Sequence, residues 1–214
     1  MAAKISETVI KSVLAGIMIG IAGALFLAVD NRYIGAVLFG IGLFCIFSFG
    51  FKLYTGMIGY LVTEKSKLRY LMTLAAVWVG NLVGTGICAG LLRLTRAGDK
   101  FSQKALSMCE VKLSDSALSV FILAVFCGIL MFVAADNFKN GKGELQKYLA
   151  VFLSVSVFIL SGFEHCVANM FFFFICGSFT LKTLVYLLIM TAGNSVGAFI
   201  IPLGLKLSQI KHRG

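Results

Sequence analysis

Residues 162 to 173 read GFEHCVANMFFF, and they set an acid and a histidine, Glu164 and His165, inside a long apolar stretch. That stretch, 147 to 177, is longer than the roughly 20 residues with which a helix crosses a bilayer. It is interrupted near its middle, at 161 to 169. Because irregular backbone at membrane depth survives only where protein covers it or where it lines a cavity, the interruption predicts a broken helix.

A second apolar stretch, 34 to 62, is also too long for one span and is interrupted by FGFKLYTG at 49 to 56. Hydrophobic residues make up 59% of the chain and charged residues only 13%, against about 25% in an average soluble domain. The apolar segments run from about 11 to 29, 34 to 62, 71 to 92, 117 to 135, 147 to 177 and 181 to 205. The sequence therefore predicts an all-α membrane protein with six transmembrane helices, of which the second and fifth are broken at the midplane.

An internal repeat supports this division. The stretch GNLVGTGI at 80 to 87 returns as GNSVGAFI at 193 to 200, an offset of 113 residues. The same offset carries the first interruption, at 53 to 56, onto 166 to 169 in the second. Two halves of three spans each must cross the membrane in opposite directions, so we expect a 3+3 inverted repeat, the plan of many transporters.

The repeat also sets the predicted domain organisation. Its halves cover about 11 to 92 and 117 to 205, and both belong to one transmembrane domain that spans 1 to 214. Residues 1 to 10 are predicted to form an N-terminal cytoplasmic segment. Residues 93 to 116 are predicted to form a long extracytoplasmic loop that connects the halves.

The basic residues predict the orientation. Lys and Arg number 19 against 9 Asp and Glu, and they are scattered over short loops, which argues against a nucleic-acid surface. With the N-terminus inside, the cytoplasmic segments hold 11 of these cations and the external segments hold 7. This excess predicts a multi-pass protein in the lipid bilayer with both termini in the cytoplasm.

The cysteines and histidines argue against a disulfide framework, a metal site or a bound cofactor. Five of the six cysteines lie in apolar segments, only Cys109 lies in a polar one, and there is no CxxC motif. Cysteines in apolar segments usually behave as small buried hydrophobic residues. The only histidine besides His165 is His212, near the C-terminus, so histidine and acidic ligands do not recur at the spacing of a metal site.

His165 is the central candidate for function. An ionisable side chain at membrane depth is energetically expensive and indicates function by default. A neutral imidazole with a pKa near 6.5 can donate a hydrogen bond or exchange a proton, so we expect His165 to face a pore. Glu164 points in a different direction in any regular backbone, and we expect it to support the interruption, either by accepting hydrogen bonds from backbone N–H groups or by balancing the positive field near the histidine.

Each interruption also leaves a short helix whose N-terminal end points toward the midplane, one starting near Thr55 and the other near Ala168. Two converging helix N-termini carry partial positive charge and favour an anion. Lys52 adds a formal positive charge in the first interruption, unless its side chain extends to a membrane interface. Three amides at membrane depth are expected to hold the loops, with contact to a solute as the alternative: Asn81, Asn169 and Asn194.

The stretches GFEHCVANMF and LYTG, with the paired GNLVG and GNSVG, resemble the formate/nitrite transporter family over almost the whole chain. The resemblance implies an aquaporin-like protomer and a homopentamer with one pore in each subunit. It also implies passage of small monovalent anions, such as formate, nitrite, acetate, lactate or hydrosulfide, across the cytoplasmic membrane. A protein of this kind is a transport protein and not an enzyme.

The resemblance also implies roles for particular residues. Thr55 supplies the hydroxyl of the first loop and faces the central pore histidine, His165. The residues beside the threonine and at apolar constrictions are Leu53, Tyr54, Phe39, Leu43 and Phe158. The supporting and electrostatic residues, taken from the resemblance and from their own chemistry, are Glu164, Asn169, Asn81, Asn194, Lys52 and, at the outer vestibule, Lys112.

Two departures from the family pattern bear on the anion. The family's first loop often reads Leu-Phe-Thr-Gly-Asn, whereas this chain has Tyr54 and Met57. Lys52 occupies a place where an acidic residue is frequent. An added cation favours a different anion within the class, hydrosulfide among them.

The sequence thus predicts a passive or proton-coupled channel or transporter for anions of the formate, nitrite or hydrosulfide class. A channel for water or small neutral solutes is one alternative, but such channels rely on two Asn-Pro-Ala turns and this chain has one proline, Pro202. A membrane-embedded hydrolase is the enzyme alternative. It would use His165 as base and Ser161 or Cys166 as nucleophile, and no third group is apparent.

Overall fold

All regular elements are helical in the part of the chain that the structure, a computed structural model, describes: the backbone of residues 2–211 and the side chains of residues 5–208. The helices are α1 (Ala2–Ala28), α2 (Arg32–Ser48), α3 (Tyr54–Met57), α4 (Lys67–Arg93), α5 (Gly98–Ser114), α6 (Ala117–Asn140), α7 (Glu144–Leu160), α8 (Cys166–Ile175) and α9 (Leu181–Lys211). A 3-10 helix, Ile58–Val62, continues α3. The predicted all-α class is confirmed for these residues.

Within the same residues, four helices are long and apolar enough to cross a membrane. They cover Ile5–Ala28, Lys67–Arg93, Ala117–Asn140 and Leu181–Ser208. The two overlong segments of the sequence are each divided into shorter helices. The first is divided into α2 and α3 with its 3-10 extension, and the second is divided into α7 and α8.

A glycine ends the first helix of each divided segment. Gly50 follows α2 with φ at 64°, and Gly162 follows α7 with φ at 70°, a left-handed backbone that glycine adopts without steric penalty. In each case the residue after the glycine donates its backbone N–H to the carbonyl five residues earlier, from Phe51 to Ile46 and from Phe163 to Phe158. This is a Schellman ending, which closes a helix and redirects the chain.

Glycines of the repeated stretch let helices approach one another closely. Gly84 of α4 lies against the backbone of Val13 in α1, and Gly197 of α9 lies against the backbone of Val125 in α6. A Cβ atom at either glycine would collide with a carbonyl oxygen. These two glycines, 113 residues apart, therefore play the same part in the two helix pairs α1–α4 and α6–α9.

The first helix extends further toward the N-terminus than the first predicted apolar segment. The helix α1 begins at Ala2 and continues without a break into the first apolar segment, so residues 2 to 10 are not a separate element. The sequence here contains neither glycine nor proline, and Ser12 is buried with its hydroxyl bonded to the carbonyl of Val9. Polar side chains that form hydrogen bonds to the helix backbone or to one another do not end the helix.

The connection between the halves differs from the prediction. Most of the predicted loop 93 to 116 is the helix α5. Phe101, Ala105 and Cys109, spaced four residues apart, are buried and form an apolar stripe along the helix. Its average polarity gave a loop-like signal, because charged residues on the other faces of the helix offset the stripe.

Candidate functional site

The two interruptions meet at the contact between Thr55 and His165. The Oγ1 atom of Thr55 lies 2.8 Å from Nε2 of His165, and only 1% and 2% of these residues are exposed. Thr55 lies in the first turn of α3, and His165 caps the N-terminus of α8. The structure therefore brings together the two residues that were expected to face one another.

The second nitrogen of the His165 ring fixes which tautomer is present. Nδ1 accepts a hydrogen bond from the backbone N–H of Ala168 at 3.0 Å, so it carries no proton. The neutral ring then carries its proton on Nε2, which donates to the Thr55 hydroxyl. The ring also stacks on Phe158, with centroids 5.6 Å apart. His165 is thus held as a donor that points out of α8.

Asn81 of α4 holds the first interruption. Its Nδ2 donates to the carbonyls of Ser12 and Lys52, at 2.8 and 2.9 Å. Its Oδ1 accepts the backbone N–H of Tyr54 at 2.9 Å. The buried amide therefore satisfies three backbone groups of α1 and of the loop before α3.

Asn194 of α9 holds the second interruption in the same way. Its Nδ2 donates to the carbonyls of Ala124 and Glu164, both at 2.8 Å. Its Oδ1 accepts the backbone N–H of Cys166 at 2.9 Å. Both asparagines are fully buried, and their partners match the supporting role expected for them.

Glu164 has side-chain partners and not the backbone partners that the sequence suggested. Its carboxylate oxygens lie 2.8 and 2.6 Å from Nζ of Lys112, which reaches in from α5. One of them also accepts from Nδ2 of Asn169 at 2.8 Å. These partners are side chains because α5, which was expected to be a loop, folds as a helix that carries Lys112 to the Glu164 carboxylate.

Asn169 connects this ion pair to the histidine. Its Nδ2 donates to Glu164 and also to the backbone carbonyl of His165, at 2.9 Å. Its Oδ1 is buried and has no hydrogen-bond partner in the described part of the chain. An unsatisfied buried acceptor costs about 1–3 kcal/mol, so this oxygen is a candidate for contact with a proton-bearing solute.

A cavity of about 400 Å³ opens beside these residues, and we call it the α5 cavity. Its polar lining is Arg32, Lys112, Glu164, His165 and Asn169. Its apolar lining is Phe26, Phe39, Met108, Val111, Phe158, Ile159, Gly162, Phe163, Ala168 and Phe172. Apolar walls with a few convergent polar groups are typical of a small-molecule site.

A second cavity, of about 440 Å³, lies beside α3, and we call it the α3 cavity. Its lining includes Leu53, Met57, Tyr60, Tyr70 and Lys139. Leu53 is only two residues before Thr55, which contacts His165 of the α5 cavity. The Thr55–His165 contact therefore joins a lining residue of the α5 cavity to the segment that lines the α3 cavity.

The predicted constriction residues are all apolar and mostly buried. Phe39 and Phe158 make an edge-to-face contact with centroids 5.9 Å apart, and both line the α5 cavity. Leu43 is 2% exposed and belongs to the hydrophobic core. Tyr54 turns away from the threonine, because its hydroxyl lies 2.9 Å from the Ser195 hydroxyl.

Lys52 does not point toward the histidine. Its Nζ lies 2.8 Å from Oγ1 of Thr8, so the side chain follows α1. The structure therefore does not support the expectation that Lys52 adds positive charge next to the short helices. The long side chain reaches a polar partner at the end of the helix pair, as lysines near membrane surfaces commonly do.

Sequence reasoning missed Arg32. Its Nη2 donates to the carbonyls of Ile159 and Leu160 at the C-terminus of α7, at 3.1 and 3.3 Å. The charge of Lys112 in the same cavity is offset by Glu164, whereas Arg32 donates to backbone carbonyls. The sequence signal for Arg32 is a cation directly before an apolar run, which by itself indicates only orientation.

The described residues contain no cluster of metal ligands. No three His, Cys, Asp or Glu side chains there come close enough to hold an ion.

Comparison with known proteins decides what kind of chain this is. The family model described as "Formate/nitrite transporter" matches residues 1–207. The chain belongs to the formate/nitrite transporter family. Membership and the apolar helices together make it a membrane protein.

Two relatives show how similar this chain is in sequence to other proteins of the formate/nitrite transporter family. The formate channel FocA of Haemophilus influenzae is 26% identical over 152 residues, which are 66% of this chain and 52% of that protein. The uncharacterized transporter YwcJ of Bacillus subtilis is 30% identical over 179 residues, which are 76% of this chain and 70% of that protein. The chain thus spans about half the length of the Haemophilus influenzae channel.

Solved structures show the formate/nitrite transporter fold over nearly the whole chain. A structure described as a pentameric formate channel with formate bound has a TM-score of 0.80 at 24% identity and covers 98% of both chains. A structure described as an FNT family ion channel has a TM-score of 0.82 at 26% identity and covers 97% and 92%. The first of these is a likeness of fold alone.

Proposed function

We propose that this protein is a channel or proton-coupled transporter for small monovalent anions of the formate, nitrite or hydrosulfide class. The permeant passes between the α5 cavity and the α3 cavity at the Thr55–His165 contact. The observation that carries the proposal is this buried contact, because it joins the two interrupted segments, one of which lines the α3 cavity and the other the α5 cavity. Family membership supports the same class of function.

The proposed architecture is one transmembrane domain of six spans in a 3+3 inverted repeat, with the second and fifth spans broken. The matching glycine contacts of Gly84 and Gly197 support the repeat. The matching helix endings at Gly50 and Gly162 support the two breaks. We further propose a homopentamer in the cytoplasmic membrane with both termini in the cytoplasm and α5 outside, in keeping with the charge distribution.

A bare anion meets a large free-energy barrier at the Thr55–His165 contact. Taking a carboxylate-sized ion out of water costs several kcal/mol even after relaxation, and Phe39, Leu43 and Phe158 offer no compensation. Arg32 concentrates anions in the α5 cavity, and the positive N-terminal end of α8 lies at the histidine. A proton that joins the anion turns it into a neutral acid, which crosses the apolar residues at much lower cost.

The geometry favours His165 as a hydrogen-bond donor over a proton relay. If Nε2 released its proton to the anion, Nδ1 would have to take up another proton and would lose the bond from Ala168 N–H. As a donor, Nε2–H exchanges the Thr55 hydroxyl for the anion without changing the cap. In this mechanism the proton enters from water in the cavity, and His165 orients the anion.

The hydrolase alternative is not supported by these contacts. A catalytic base needs an unprotonated ring nitrogen that can reach the nucleophile, whereas Nδ1 of His165 is bonded to the N–H of Ala168 and Nε2 carries the proton. Ser161 lies on an exposed turn, while the backbone N–H of Cys166 is bonded to Asn194.

A flux panel tests the proposal directly. Purified protein in proteoliposomes is supplied with formate, nitrite, acetate, lactate or hydrosulfide, with and without a pH gradient. We expect flux well above that of empty liposomes for at least one anion, and a dependence on the pH gradient if a proton accompanies it. No flux for any of the five from protein that keeps its oligomeric size would contradict the proposal.

A further inference from the structure

Two cysteine side chains touch where α5 covers the end of α8. The Sγ atoms of Cys109 and Cys176 are 3.5 Å apart. Cys109 is 1% exposed on the apolar stripe of α5, and Cys176 is the partly exposed residue that caps α8. All cysteines are free in the described residues, and this pair is the one for which a thiol–thiol contact is found there.

We propose that Cys109 and Cys176 form a reversible disulfide that fastens α5 to α8 beside the α5 cavity. The oxidant is a small-molecule disulfide. The thiolate of Cys176 attacks one of its sulfurs and releases one small thiol, and Cys109 then attacks the mixed disulfide and releases the second. Two protein thiols are oxidised to one disulfide, and the small disulfide is reduced to two thiols.

The order of attack follows from exposure. Cys176 is the reachable thiol, and the buried Cys109 needs only an intramolecular step once the mixed disulfide exists. The S–S bond is about 2.0 Å long, so the sulfurs must approach by about 1.5 Å. Cys176 lies directly before Gly177, whose φ of 75° ends α8, so the backbone after it is not constrained by a continuing helix.

The cysteine pair lies next to residues that line the α5 cavity, so a disulfide there affects the cavity. Cys109 lies one helical turn before Lys112, which binds Glu164, and its neighbour Met108 lines the α5 cavity. Phe172 of α8 lines the same cavity. Drawing α5 toward α8 narrows the space between them, so we expect the oxidised protein to pass anions more slowly.

The chemical part of the test needs no transport assay and does not depend on the proposed function. Intact protein is incubated with glutathione disulfide, alkylated with iodoacetamide and analysed by mass spectrometry, with and without prior dithiothreitol. We expect two thiols to become protected, a linked pair of peptides containing residues 109 and 176, and full reversal by the reductant. Cys45→Ser is the matched control, since Cys45 is a partly exposed thiol in α2, and it should form the same link.

Two variants keep the test decisive. In the Cys176→Ser variant, no pair of thiols should become protected from alkylation. In the Cys109→Ser variant, the reaction should end at a glutathione adduct on Cys176. Absence of the 109–176 link in the wild-type protein, or a link between two subunits in its place, overturns the proposal. The flux part rests on the proposed function: oxidation should slow flux several-fold in wild type and Cys45→Ser but not in Cys176→Ser, and a linked protein with unchanged flux overturns that part alone.

Discussion

Asn81 and Asn194, 113 residues apart, make the same three kinds of hydrogen bond to the two interrupted segments. Each side-chain amide donates to two backbone carbonyls, and each Oδ1 accepts the N–H of the residue that starts a short helix. Each interruption is thereby closed by an amide from the last long helix of its own half. The short helices α3 and α8 begin where they do because these two asparagines fix their first N–H groups.

Replacing Asn194 with Ala should lower the stability of the protein and leave its selectivity among anions largely unchanged. The change leaves the carbonyls of Ala124 and Glu164 and the N–H of Cys166 without their partner, at about 1–3 kcal/mol for each buried group. Thermal unfolding in detergent measures the loss. Asn140→Ala, at an exposed position, is the control, and an Asn194→Ala protein with wild-type Tm and assembly would contradict the supporting role.

Thr55→Val should slow anion flux while Thr55→Ser retains most of it. Valine has the shape of threonine but no hydroxyl, so Nε2–H of His165 loses its buried partner. Serine keeps the hydroxyl. Flux in proteoliposomes at matched protein density checks this, and equal rates for the Val and Ser variants would show that the hydroxyl is not needed.

His165→Asn should fold and assemble, because asparagine is a good N-cap and keeps a donor. We expect a lower flux with an unchanged pH profile, since the proton in this mechanism comes from water and not from the ring. His165→Phe removes both the cap and the donor and should nearly abolish flux. Oligomer size in detergent separates a blocked pore from a broken fold, and a flattened pH profile in His165→Asn would indicate a proton relay instead.

The pair Lys112–Glu164 should show strong coupling in a double-mutant cycle. Removing one partner of a buried ion pair leaves the other charge unpaired, at about 3–5 kcal/mol. Lys112→Met and Glu164→Gln should each lower the free energy of unfolding, and the double variant should recover part of the loss. Additive single effects would mean that the 2.6 Å contact contributes little to stability.

Arg32→Gln should raise the KM for the anion at low salt and leave kcat largely unchanged. Lys112 is paired with Glu164, and Lys104 is paired with Asp30, so Arg32 supplies the uncompensated charge of the α5 cavity. Salt should reduce the effect, because screening limits such fields to about 10 Å at 0.1 M. Lys104→Gln is the control, and an equal change there would mean that net surface charge, not Arg32, attracts the anion.

Some features of this protein were fixed by the sequence alone. The apolar segments and low charge content predicted an all-α membrane protein, because hydropathy acts residue by residue. The 113-residue offset predicted that Asn81 and Asn194 are equivalent and that the two interruptions meet. The stretch around Glu164 and His165 carried the resemblance to the family, and an ionisable pair at membrane depth indicated a functional site.

Other features were decided only by the tertiary structure. The partners of Glu164, Lys52 and Arg32 come from helices far away in sequence, and a charged side chain takes whichever partner the packing offers. The helix α5 was hidden because its apolar stripe becomes stable only when it is buried against other helices. The contact between Cys109 and Cys176 has the same origin: the sequence supplies two thiols, and the packing of α5 on α8 sets the distance between them.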